Sequence, residues 1–204
     1  SLSLAGFDVV VASGAGDSLQ NAGHLVRQAE GIAWCRLPER MAEHWPRPLR
    51  RFRYAFKGGR TVEWLASQPT LPAAVILYSG YTPYLQRLLP WCRRNRVRLL
   101  FDAVEWYEPE RRIGYLTSPY QWNIEWAMRR LVPQVDGIIA ISSYLAEYYR
   151  HRGRPTVVVP PTTSEIHCGS WEPSPTLRLA FAGAPGHIDG LGYKDDLAVV
   201  LSSV

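Results

Sequence analysis

An α/β fold with a doubly wound parallel sheet, Rossmann-like, is what three features of this sequence predict. Apolar runs without alternation recur at Ala73–Tyr78, Val97–Phe101 and Gly137–Ile141; such runs read as strands buried on both faces of a parallel sheet. Amphipathic stretches of helical period lie between them, which is the alternation expected of α/β architecture. A proline-rich interval near residue 160 then gives way to a second start of the same pattern. The predicted division is a Rossmann-like domain over residues 1–159, a linker over 160–176, and the beginning of a second α/β domain over 177–204.

In order, residues 1–6 read as the last turn of a helix with Gly6 at its C-cap, and Phe7 to Ala12 as a strand. Ser13 to Asp17 is a turn and Ile32 to Leu37 a second strand. Pro46 to Arg60 carries Arg47, Arg50, Arg51, Arg53, Lys57 and Arg60 among Leu49, Phe52, Tyr54 and Phe56. It reads either as the solvated face of a helix continuing past Gly58-Gly59 into Val62, Trp64 and Leu65, or as a basic aromatic surface for a membrane. After the strand at Ala73–Tyr78, Pro83 suits the first turn of a helix reaching about Asn95. Leu85, Leu88, Leu89 and Cys92 form its buried stripe. Ser118-Pro119 opens a helix that runs to Val132, where Trp122 and Trp126 share a face; core packing is the preferred account of that pair, a sugar platform the alternative. Ser142 or Ser143 caps a helix over Tyr144–His151 that Gly153 ends. Thr156 to Val159 is a further strand. Beyond the linker, Leu177 to Ala182 is a strand, Gly183-Ala184-Pro185-Gly186 a tight turn, and Lys194 to Val204 the opening of a helix.

Composition narrows the partners. The 204 residues carry 23 Lys and Arg against 18 Asp and Glu, a net charge of +5, which suits an anionic ligand or surface. No nucleic-acid-binding motif accompanies the charge, so nucleic acid is not expected. Cys35, Cys92 and Cys168 show neither metal nor disulfide spacing and fit a reducing compartment. No apolar run approaches the roughly 20 residues that span a bilayer. The expected location is cytoplasmic, with peripheral contact to the inner face of the membrane through Arg47–Lys57.

Chemistry points to the exit of the strand Val97–Phe101. Ligands of open α/β sheets bind beyond the carboxyl ends of the strands, and Asp102, Glu105 and Trp106 follow there. A turn cap and a solvated carboxylate remain the alternatives for Asp102 and Glu105.

Taken in order, Asp102-Ala103-Val104-Glu105-Trp106-Tyr107, Asp136-Gly137-Ile138-Ile139-Ala140-Ile141-Ser142-Ser143-Tyr144-Leu145, Val158-Val159-Pro160-Pro161-Thr162 and Phe181-Ala182-Gly183-Ala184-Pro185-Gly186 followed by Lys194-Asp195 resemble the GT-B-fold glycosyltransferases of family 4. The resemblance implies transfer of a sugar from a nucleotide-sugar to a saccharide or lipid-linked acceptor, with retention, no metal and no cofactor beyond the donor. It implies catalytic roles for Asp102 and Glu105, acceptor contacts from Tyr81 and Trp106, and donor-phosphate contacts from Gly183, Gly186 and Lys194. Backbone N–H groups of a glycine turn and a lysine are suited to a diphosphate leaving group. Many relatives carry His at the two strand ends that here exit into Tyr81 and Asp102, and residues 187–193 lengthen the turn before Lys194. The family's first strand, expected before Ser1, and its distal Glu-x7-Glu pattern are not in these residues. The chain is therefore expected to be a fragment that transfers no sugar by itself. A sugar-nucleotide epimerase of the same architecture and a non-catalytic membrane- or partner-binding module are the rival readings.

Overall fold

Four strands with helices between them form the main body. A computed structural model of the chain describes residues 2–3, 5–14, 26–27, 32–37, 39, 57–78, 82–105, 119–161, 187–188 and 192–193. The chain divides into two compact units, Ser1–Thr162 and Thr163–Val204. In the first unit the strands are β1 (Val10–Ser13), β2 (Val26–Arg27), β3 (Ala33–Arg36), β4 (Ala74–Tyr78), β5 (Arg98–Ala103), β6 (Gly137–Ala140) and β7 (Thr156–Val158). The helices are α1 (Gly59–Ser67), α2 (Thr82–Asn95), α3 (Pro119–Trp126) and α4 (Ser143–Arg150); α3 continues through a π-helical turn, Ala127–Leu131, and a 3-10 turn, Val132–Gln134. Together they make an α/β, Rossmann-like unit.

The large sheet runs β4-β5-β6-β7, all parallel. Its strands follow one another in sequence, each step carried by a helix. Right-handed crossovers repeated in one direction put every connecting helix on the same side, and burial follows suit. Leu99, Phe101, Ala103, Ile138 and Ala140 are buried beneath Leu85, Leu88 and Cys92 of α2, Leu131 and Val132 after α3, and Leu145 and Tyr149 of α4. On the opposite side Ile76 and Tyr78 are exposed, and Leu100, Asp102 and Ile139 are half-buried. Among the described residues the helices thus cover one face of this sheet.

A smaller sheet, β1-β3-β2, pairs β1 with β3 in parallel and β2 with β3 antiparallel. β2 was not expected, since two residues give no periodicity to read. β1 begins at Val10 rather than Phe7, because the preceding turn extends to Phe7: Gly6 N–H donates to Ser3 O at 3.0 Å and Phe7 N–H to Leu2 O at 3.2 Å. This paired pattern is a Schellman-type C-cap.

Helix ends follow local chemistry. Ser142 Oγ accepts from Leu145 N–H at 3.3 Å and caps α4. At its other end Gly153 has φ +71°, with Gly153 N–H to Arg150 O at 2.8 Å and Arg154 N–H to Tyr149 O at 3.2 Å. The helix predicted to run through Gly58-Gly59 instead starts there: Gly58 has φ +88° and α1 begins at Gly59. Trp122 and Trp126, expected in the core, are 64% and 52% exposed. The buried stripe of that segment is Gln121, Ile124, Ala127, Met128 and Leu131, one position out of phase with the tryptophans.

In the second unit, His187–Ile188 pairs antiparallel with Gly192–Tyr193, within the stretch expected to lengthen the turn before Lys194. The predicted strand Leu177–Ala182 and helix from Lys194 lie outside the described residues.

Candidate functional site

Parallel strands bring their carboxyl ends to one edge. There β4 ends at Tyr78 and β5 at Ala103, so Asp102 lies inside the strand and not beyond it. Its Cα is in register with Tyr78 on one side and Ile139 on the other. The turn-cap alternative for Asp102 therefore fails on placement. Asp102 is half-buried, and this burial raises its pKa above the ordinary value. Desolvation disfavours the charged form. Glu105 follows two residues past the strand and is exposed. Asp102 and Glu105 thus share one strand exit, with Asp102 the more enclosed.

Tyr81, Trp106, Gly183, Gly186 and Lys194 lie outside the described residues, as do Arg47–Phe56 of the basic segment. Among the described residues no group of three or more His, Cys, Asp or Glu has the placement of a metal site. None of their helices is long and apolar enough to cross a membrane. Cys35 and Cys92 are buried free thiols, and burial pushes Cys92 up to about 11.

The same edge holds a cluster that the sequence did not announce. Glu39 is 5% exposed, and its Oε1 accepts from Thr61 N–H at 2.9 Å and Thr61 Oγ at 2.8 Å. Thr61 stands in the first turn of α1, where backbone N–H groups lack helical partners. Gly58 supplies no side-chain cap, so a carboxylate 22 residues away does. Tyr84, in the first turn of α2, lies next to Glu39; burial first, and that carboxylate second, push its pKa to about 12. A methyl group on Gly14, just past β1, would run into the Tyr84 hydroxyl, and one on Gly58 would come within 3.0 Å of Tyr84 Cα. Tyr84 thus joins the exit of β1 to the starts of α1 and α2. Thr82 Oγ donates to Asn123 O at 2.6 Å and ties α2 to α3. The pair Gly58-Gly59 was the one available sequence signal, since a glycine pair before a helical run can mark a start.

Replacing Glu39 by Ala is expected to destabilise the chain by about 1.5–3 kcal/mol, the range for hydrogen bonds to charged groups. Thermal denaturation followed by circular dichroism measures this, and an unchanged melting temperature would remove Glu39 from the frame of the site.

A family model described as a glycosyl transferase 4-like domain matches residues 1–162. No curated protein and no solved structure matches the chain.

Proposed function

Because the chain belongs to the glycosyl transferase 4-like family, we propose that it transfers a sugar from a nucleotide-sugar to a saccharide or glycolipid hydroxyl, with retention and without a metal or added cofactor. Asp102 is the observation that carries this reading: a half-buried carboxylate at the carboxyl edge of a central strand, with its pKa raised by burial. A raised pKa brings a carboxylate closer to the operating pH and makes it a better proton acceptor. In this reading Asp102 holds the acceptor hydroxyl and takes its proton, and exposed Glu105 contacts the same substrate. Tyr81 and Trp106 bound the acceptor. On the donor side, backbone N–H groups at Gly183 and Gly186 and the Lys194 ammonium hold the diphosphate as it leaves. Residues 1–159 form the acceptor-side domain, 160–176 the linker and 177–204 the start of the donor side. The reaction is placed in the cytoplasm, with Arg47–Lys57 touching the membrane when the acceptor is lipid-linked.

The test is nucleotide release from a panel of nucleotide-sugars by the full-length protein, with and without saccharide acceptors, followed by mass spectrometry of the acceptor. Acceptor-dependent release that survives chelation is expected. An isomerised nucleotide-sugar with no transfer product would make the protein an epimerase instead.

Lys194→Ala is expected to weaken nucleotide-sugar binding by about 1.5–3 kcal/mol, through loss of a charge-assisted contact. Calorimetric titration of the donor measures this. An unchanged dissociation constant would take Lys194 out of the donor site.

A further inference from the structure

Trp122 and Trp126 of α3 stand in water, on the side of the helix turned away from buried Gln121, Ile124, Ala127 and Met128. Core packing therefore does not explain the pair. Spaced four residues apart, the two side chains share a face, separated by about 6 Å of helical rise.

Both lie beside the candidate site. Thr82 Oγ, at the start of α2, donates to Asn123 O at 2.6 Å, which holds the first half of α3 near the carboxyl ends of the strands. A third exposed ring, Tyr144, stands in the first turn of α4, just past the carboxyl end of β6. Glu125 and Arg129 link the two helices. The Glu125 carboxylate accepts from Arg129 Nε, and Tyr148 and Tyr144 are electrostatic neighbours of the same guanidinium.

Area and charge select the occupant. Trp122 is 64%, Trp126 52% and Tyr144 58% exposed. At roughly 150–250 Å² for a whole aromatic side chain, the three offer roughly 250–450 Å². Each partner in a stable protein–protein interface buries about 800 Å², so a second copy of the chain is a poor match. Patches of this smaller size on a monomer are often functional. Glu125 is already paired with Arg129, so a neutral ligand suits the surface. Flat rings one helical turn apart, with polar groups at their margins, fit successive pyranose rings. Such sugars present C–H faces to stack and carry their hydroxyls at the ring edges. Sites of this kind pair aromatic walls with a few polar groups.

We propose that Trp122, Trp126 and Tyr144 form a stacking platform for the saccharide chain of the acceptor, beside the edge where Asp102 stands. Resting on the transfer reading above, this makes the acceptor a chain of several sugars, its reacting end at Asp102. Contact with sugars remote from the reacting hydroxyl is the same before and during transfer. It therefore lowers KM and leaves kcat unchanged.

The test compares the full-length protein with W122A/W126A and W122F/W126F, using chito-, cello- and malto-oligosaccharides from a single sugar upwards. Both positions are exposed, so folding should survive, and circular dichroism checks this. In calorimetric titration without donor, the longer members of at least one series are expected to bind. W122A/W126A is expected to bind them about tenfold more weakly, the scale of a truncated aromatic anchor. W122F/W126F, which keeps flat rings, is expected to stay within about threefold of the parent. In the transfer assay W122A/W126A is expected to raise KM about tenfold for the longer acceptors only, with kcat within about twofold. Binding by no series, unchanged binding by W122A/W126A, or KM raised equally for single sugars and chains would overturn the platform. So would a neutral-vesicle contact or a dimer that W122A/W126A abolishes while no saccharide binds. Saccharide binding that needs both tryptophans, without any transfer, would keep the platform and overturn the transfer reading alone.

Discussion

Asp102→Asn in the full-length protein is expected to lower acceptor-dependent turnover by about 10²–10⁴-fold, the usual contribution of a general base, while raising the melting temperature at neutral pH. The two effects share a cause. The folded carboxyl has a pKa above the ordinary value because burial in the strand takes it partly out of water. Below about pH 4, the ordinary aspartate value, both folded and unfolded chains are protonated and the group costs nothing. As pH rises through the interval up to the raised folded value, the unfolded chain gives up its proton first, and stability falls. Above that interval the whole penalty is present. Asn removes the penalty at similar shape, so the variant and parent should coincide in acid and separate towards neutrality. A melting temperature lowered at pH 7 would mean that the charged carboxylate is structurally required. A turnover loss below about tenfold would remove the proton-accepting role.

Gly58→Val is expected to destabilise the chain by about 2–5 kcal/mol. A left-handed backbone costs a side-chain-bearing residue roughly 1–2 kcal/mol, and crowding a packed position adds roughly 1–3 kcal/mol. Both apply here. Gly58 has φ +88°, and its added Cβ would meet Tyr84 Cα at 3.0 Å and Pro83 O at 3.3 Å. Backbone atoms cannot swing aside as a side-chain tip can. An unfolding free energy from denaturant titration lowered by less than about 1 kcal/mol would show that the approach of α1 to α2 is looser than described.

The apolar runs that form β4, β5 and β6 made the large sheet legible, and so did the Leu85, Leu88, Leu89 and Cys92 stripe of α2, all four buried. What the residues could not show was which positions of each run face the helices, because an apolar run has no alternation to read. The tryptophans misled because i, i+4 spacing identifies a shared face without saying which way it points; Gln121, one residue earlier, is buried. At the site, Asp102 was visible because an acid interrupts an apolar run. Glu39 and Tyr84 were not, because Glu39 reaches Thr61 across 22 residues and no local pattern records such a contact.

The consecutive order of β4, β5, β6 and β7 has a kinetic consequence. Each ladder joins strands that are neighbours along the chain, with Ala74 paired to Arg98, Leu100 to Gly137 and Ile138 to Thr156, 18 to 37 positions apart. The entropy of closure grows only slowly with loop length, but short separations still favour rapid assembly. Residues 74–158 can therefore zip from any one strand–helix–strand unit, each addition bringing its own cover of Leu88, Val132 or Tyr149. The parallel pair β1 and β3 is as local as these, Val10 facing Ala33 across 23 positions against 24 for Ala74 and Arg98, so its assembly is fast for the same reason.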